Sequence, residues 1–138
     1  MDPCSIAAGL IGLLDVSARL SGKARRIAHT IKNAPAQILA LENELEDFRL
    51  VLNEVQQAQE QIIAARDVAL PAVLSREIER AQRETDELEE TVDLVTSTGK
   101  NVGIRWLRKQ SHIYIHKSRL REIRQRIQEL LVTHNAFV

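Results

Sequence analysis

From Ile38 to Ile62 the chain steps by threes and fours without a slip, through Ile38, Leu41, Leu45, Phe48, Leu52, Val55, Gln59 and Ile62. That is the period of an α-helix with one apolar stripe and a polar back, the opposite faces carrying Glu42, Glu44, Glu46, Asp47 and Glu54. The spacing predicts a helix over 35–65. Leu74, Ile78, Ala81, Thr85, Leu88, Val92 and Val95 repeat the device and predict a helix over 72–97. Pro71 stands where the two stripes lose phase, so two helices are expected and not one rod.

The flanking segments read the same way. Ile6, Leu10, Leu13, Leu20, Ala24, Ile27 and Ile31 predict a helix over 3–33, interrupted only by Ser17. Asp2 suits its N-cap, Pro3 its first helical position, and Ser21-Gly22 is a place where it can bend. Asn33-Ala34-Pro35 and Thr96–Asn101 read as loops. The last helix is expected over 102–135, with Leu120, Ile123, Ile127 and Leu130 as its stripe. Ser111–His116 alternates like a strand, but a strand with no partner is not stable. Short connections favour helices folding back on their neighbours. The expected fold is therefore all-α, an up-down-up-down four-helix bundle in a single domain spanning 1–138. An intermolecular coiled coil is the alternative use of the same stripes.

Composition narrows the functional classes. Five Gly and three Pro in 138 residues leave little material for a turn-rich sandwich or barrel. Hydrophobic residues at 44% and charged residues at 28% suit a packed soluble domain. Four aromatics (Trp106, Tyr114, Phe48 and Phe137) make a base-stacking module unsuitable, so no nucleic-acid partner is expected. The lone cysteine, Cys4, excludes an internal disulfide framework and a cysteine-based zinc site, and reads as a small hydrophobe. His112 and His116 are four apart without an HExxH pattern or an evident third ligand, so surface imidazoles are expected. No phosphate loop and no nucleophile beside a base are present in the pattern, and the expectation is a non-enzymatic protein without cofactors. An acidic start without a basic leader points to an intracellular compartment.

The zero net charge hides segregation. Residues 1–35 hold five basic and two acidic groups, 36–98 five basic and fifteen acidic, and 99–138 nine basic and two acidic. Acidic middle helices facing basic outer ones is one reading. Attraction of the terminal segments to an anionic surface, once they separate from the middle, is the other.

The first helix is the informative element. From Cys4 to Leu14 there is no charged residue, and Ile11 falls away from the stripe of Ile6, Leu10 and Leu13. A segment apolar on nearly every side is enclosed by protein or in contact with lipid. Ser5, Ala8, Gly9 and Gly12 form small-residue pairs that permit close helix approach. Eleven residues reach only ~17 Å against a hydrocarbon core of ~30 Å. Extension to Leu20 brings in Asp15 and Arg19, whose cost of about 3 kcal/mol each outweighs the apolar gain. A lone spanning helix is disfavoured. Asp15 and Arg19 are placed to neutralise each other, and Arg19, Lys23, Arg25, Arg26 and Lys32 suit anionic headgroups.

The run Met1-Asp2-Pro3-Cys4-Ser5-Ile6-Ala7-Ala8-Gly9-Leu10-Ile11-Gly12-Leu13-Leu14 resembles the opening of the HeLo-like N-terminal domains of fungal NOD-like receptors (STAND proteins). Arg105-Trp106-Leu107, Leu120-Arg121-Glu122-Ile123 and Leu130-Leu131-Val132-Thr133-His134-Asn135 extend the resemblance over essentially the whole chain. Cys4 departs from the Leu usual at that place. The resemblance implies a four-helix cell-death execution domain, similar to the bundles of the mixed-lineage kinase-like necroptosis effector and of plant helper immune receptors. It further implies a cytoplasmic resting state, then assembly of a homo-oligomer at the plasma membrane. Ile6, Leu10, Ile11, Leu13 and Leu14 would meet anionic membrane lipids there. A downstream nucleotide-binding or amyloid-signalling region of a longer parent protein would supply the trigger. The rival expectations are an adaptor that oligomerises through protein contacts alone and a cytoskeletal coiled-coil scaffold.

Overall fold

The computed structural model describes residues 3–31, 36–65, 69–96 and 102–136, with side chains described over 6–31, 36–58, 72–96 and 102–132. Four helices account for them: α1 (Pro3–Thr30), α2 (Ala36–Ala65), α3 (Ala69–Thr96) and α4 (Val102–Ala136). The expected ends shift by up to three residues. α1 stops at Thr30, three residues short of the expected 33. α3 starts at Ala69, so Pro71 is its third residue and not a boundary. A proline in the first turn removes an N–H that has no intrahelical acceptor anyway, so the helix admits it. α1 continues unbroken through Ser21-Gly22. Asp2, Pro35 and most of the Thr96–Asn101 loop lie outside the described residues.

Five connecting residues reach at most about 18 Å, whereas a 28-residue helix is about 42 Å long. So α2 returns antiparallel along α1, and α4 along α3. The α1–α3 contacts keep a nearly constant offset: Gly9 faces Ile78, Arg19 faces Glu89, and Lys23 faces Asp93. α1 and α3 are therefore parallel. The principal packed pairs are α1–α2, α1–α3, α2–α4 and α3–α4. The fold is thus the expected up-down-up-down four-helix bundle. α2 and α3, neighbours in sequence, stand at opposite corners.

The stripes meet in one core. α1 contributes Ile6, Leu10, Leu13, Val16, Leu20, Ala24 and Ile27, and α2 contributes Ile38, Leu41, Leu45, Phe48, Val51, Leu52 and Val55. α3 adds Leu74, Ile78, Ala81, Leu88, Val92 and Val95. Each fully buried aliphatic side chain contributes about 1.5–3 kcal/mol. Thr85 joins the stripe by donating its hydroxyl to the Ala81 carbonyl at 2.9 Å, which satisfies it inside the core.

α4 differs from its expected stripe. Leu120, Ile123 and Ile127 are buried, but the next position inward is Leu131, with Leu130 only half-buried. Upstream, Val102, Trp106 and Ile113 complete the stripe, and Trp106 is among the largest fully buried side chains. The alternating run Ser111–His116 is helical. Helix geometry turns Ile113 and His116 inward and leaves Tyr114 and Ile115 outside.

Candidate functional site

α1 holds its apolar segment in two environments. Ile6, Leu10 and Leu13 are in the core and Leu14 is half-buried against it, while Ile11 on the outer face is 59% exposed. Gly9 is buried against α3. A Cβ there would lie 3.0 Å from Ile78 Cγ2 and 3.3 Å from the Gln82 side-chain nitrogen. Ala8 and Gly12 are exposed, and a Cβ at Gly12 would meet nothing within 4 Å. Of the expected small-residue contacts at described side chains, Gly9 alone makes one within the bundle. Ala8 and Gly12 point outward because the stripe that α1 buries runs through Ile6, Leu10 and Leu13 on its other side. The Ser5 side chain lies outside the described residues.

The second half of α1 packs more lightly. Its buried positions are Val16, Ser17, Leu20, Ser21, Ala24 and Ile27, and three of the six are Ser or Ala. The Ser17 hydroxyl is buried without a hydrogen-bond partner among the described residues. Small side chains bury less apolar area, so this half is held less firmly by the core.

Ion pairs compensate at its surface. Arg19 directs Nε and Nη2 at the two oxygens of Glu89, both at 3.2 Å. Lys23 donates to Asp93 at 2.7 Å and to Glu89 at 3.2 Å. Asp15, one turn before Arg19, also pairs with it, as the four-residue spacing predicts. The Arg19 hydrogen bond, helped by Lys23, holds the Glu89 carboxyl below the usual carboxylate range against a partial burial that pushes it up. Burial works against the Lys23 charge, but Asp93 and Glu89 outweigh it and raise its pKa. The hydrogen bond to Glu89 likewise raises that of Arg19. Four side chains thus form a clasp between α1 and α3.

The expected lipid-binding cations divide accordingly. Arg19 and Lys23 are engaged by α3 carboxylates. Arg25 and Arg26 are exposed and have no ion partner among the described residues. Lys32 lies outside them. Among the described residues no helix is long and apolar enough to cross a membrane.

A second polar cluster lies between α3 and α4. His116, expected at the surface, is buried. Its Nδ1 sits 2.8 Å from Glu84 and 3.5 Å from Glu87. The ring turns inward because it shares the face of Ile113 and Leu120. Ligand atoms of Glu84, Glu87 and His116 fall within 4.8 Å of one another, a spacing suited to a metal ion. The surroundings oppose one: Arg119 approaches Glu84 at 3.7 Å, and Arg80, Arg83 and Arg126 line the same cleft of about 450 Å³. The cluster serves as a polar bridge. Glu77 adds to it, pairing with Arg80 at 3.2 Å and with Arg126 at 3.9 Å. On the other flank Arg124 grips Glu44 of α2, which is buried toward α4 and not on the polar back of its helix as expected, because the guanidinium compensates its charge there. The acidic middle helices do face the basic outer ones.

Comparison of the chain with protein-family models, with curated proteins and with solved structures returned no match.

Proposed function

We propose that this bundle is a non-enzymatic, membrane-acting domain whose first helix leaves its packed position when copies of the chain assemble on an anionic bilayer. The observation that carries the reading is the two-faced apolar segment of α1. Residues 6–14 carry no charge, bury Ile6, Leu10 and Leu13, and leave Ile11 exposed. Such a segment needs no change of composition to move from protein to lipid. The light packing of Ser17, Ser21 and Ala24, with surface ion pairs supplying the grip, suits a helix that detaches. Exposed ion pairs contribute little and are screened by salt, so a charged trigger competes with them readily.

The resemblance to HeLo-like domains extends this reading to the execution of cell death. On release, Ile6, Leu10, Ile11, Leu13 and Leu14 would enter the acyl region, while Arg25 and Arg26 hold the headgroups. Opening the clasp frees Arg19 and Lys23 for the same task. The apolar segment is too short to span, so disruption of the bilayer requires several copies with Asp15 and Arg19 turned toward one another.

Dye release from vesicles containing anionic lipid tests the proposal with variants that keep the core. Glu89→Lys with Asp93→Lys sets like charges across the α1–α3 seam and should increase release. Adding Ile11→Asp, at an exposed position, should suppress it. Equal release from wild type, the double variant and the triple variant would end this reading.

A further inference from the structure

α4 carries a second apolar stripe on its exposed side, uncovered by the described residues of the other helices. Ile104, Leu107, Tyr114 and Ile115 are 51%, 63%, 58% and 45% exposed. At 100° per residue they fall in an arc of about 100°, on the side opposite Trp106, Ile113 and Leu120. The front half of α4 is therefore apolar on both faces, one in the core and one in solvent.

The flanks of this stripe are cationic. Arg108 and Arg119 border one edge, and Arg121 and Lys117 the other. From Val102 through Arg121 there are six Lys or Arg, Arg121 included, and no carboxylate. Arg119 approaches Glu84, whereas Arg108 and Arg121 are exposed with no ion partner among the described residues. Lys117 Nζ sits 5.0 Å from the centroid of the Tyr114 ring. That places a cation beside an amphipathic ring of the kind favoured at headgroup level.

We infer that this face of α4 is a docking surface for an anionic lipid bilayer, occupied while the bundle is still closed. An exposed apolar stripe bordered on both sides by cations is the pattern of a helix lying in the membrane interface. A second copy of the chain fits less well. A twofold contact would set Arg108 and Arg121 against their own kind. Among the described residues, the exposed large apolar side chains of the other helices are Ile11 on α1, Leu39 and Leu50 on α2, and Val73 and Leu94 on α3, and these form no matching stripe.

The surface is distinct from the apolar segment of α1 and does not depend on its release. Ile27 and Val102 line one cleft, so α4 begins beside the end of α1. Ile11 is sixteen residues, about 24 Å, back along that helix. Arg25 and Arg26 are exposed near this same end of the bundle and add to its positive field. Docking through α4 would concentrate the closed protein on the bilayer before any helix moves.

Co-sedimentation with vesicles separates the possibilities. The probes are neutral phosphatidylcholine vesicles and vesicles with roughly one-third phosphatidylserine. Wild type should sediment with the anionic vesicles only, less so at high salt. Arg108→Glu with Arg121→Glu, and separately Ile104→Ser with Leu107→Ser, should each reduce binding about tenfold or more. These positions are exposed, so helicity and melting should not change. Binding by either variant equal to wild type overturns the inference. So does a wild-type dimer in solution that both variants dissociate, since the face would then belong to a second copy. Dye release in parallel separates this surface from α1. A control change away from both surfaces, Leu50→Ser at an exposed position of α2, should bind and release as wild type does. Binding without release under any clasp variant defeats only the α1 reading. Release that persists when α4 variants leave binding unchanged defeats only the docking surface.

Discussion

Arg124 on α4 holds Glu44 on α2 through two side-by-side hydrogen bonds, Nε to Oε1 at 2.9 Å and Nη2 to Oε2 at 3.1 Å. Both side chains are largely buried, so the pair is the firmest polar link between the parallel helices α2 and α4. Its geometry belongs to a planar guanidinium facing a carboxylate. Removing one partner leaves an uncompensated buried charge. Arg124→Met should lower stability by about 3 kcal/mol, read from the urea midpoint. Arg124→Met with Glu44→Met should recover most of the loss, because two methionines fill similar space without charge. A double variant as unstable as the single one would show that the pair holds the helices by more than charge compensation.

Gly9 and Gly12 are one turn apart and face opposite surroundings. Alanine at Gly12 meets nothing within 4 Å, so it should stabilise the helix by about 0.5–1 kcal/mol through backbone entropy alone. Alanine at Gly9 would press on Ile78 Cγ2 at 3.0 Å. That methyl belongs to a β-branched, fully buried side chain with little freedom to yield. Gly9→Ala should therefore melt lower than wild type, and Gly12→Ala higher. Thermal unfolding by circular dichroism reads both. Equal gains would mean that α1 already shifts freely against α3.

These contrasts mark how far the fold was legible beforehand. The stripe of α2 was plain because every charge from Glu42 to Glu54 falls off it. In α4, the alternation of Ser111–His116 offers two periods at once, and a single-stripe reading passed over Trp106, Ile113 and His116. The meeting of acidic and basic helices was one of the two readings that the segregation of charge allowed. That segregation did not tell which residues pair, because Glu89 meets Arg19 only through the parallel contact of α1 and α3. That contact is a property of how the two hairpins stack, with α2 and α3 at opposite corners. The outward position of Ile11 followed from helix geometry. The engagement of Arg19 and Lys23 by α3 did not, since spacing within one helix is silent about its neighbour.

Ser17 replaces an aliphatic residue in the α1 stripe and buries its hydroxyl without a partner among the described residues. Ser17→Ala removes that desolvated group and improves helix propensity, so stability should rise by about 1 kcal/mol. The functional expectation has the opposite sign. A more firmly seated α1 should release less dye from anionic vesicles, a cost that stabilised effectors commonly carry. Chemical denaturation and dye release on the same preparations check both halves. A variant that is more stable and equally active would detach Ser17 from the release mechanism.

The clasp sets a pH window for α1. Glu89 titrates below the ordinary carboxylate range because Arg19, and then Lys23, hydrogen-bond its charged form. A depressed folded-state pKa means that its stabilising contribution is complete above the unfolded value of about 4.3. It is lost as pH falls through the lower folded value. Lys23 and Arg19 are shifted upward, so their contributions are complete below their unfolded values and are lost only at strongly alkaline pH. Across the neutral range the clasp should therefore be insensitive to pH, and mild acidification should not free α1. Urea midpoints of wild type and Glu89→Gln, followed against pH, give the measurement. The wild-type advantage should be constant from about pH 5 to 9, begin to fall once pH drops below the unfolded value of about 4.3, and vanish only below the depressed folded-state pKa, where Glu89 is protonated in both states and resembles glutamine. An advantage that disappears near neutrality would place the pH-sensitive group elsewhere. An advantage that persists in strong acid would mean that Glu89 acts through packing and not through its charge.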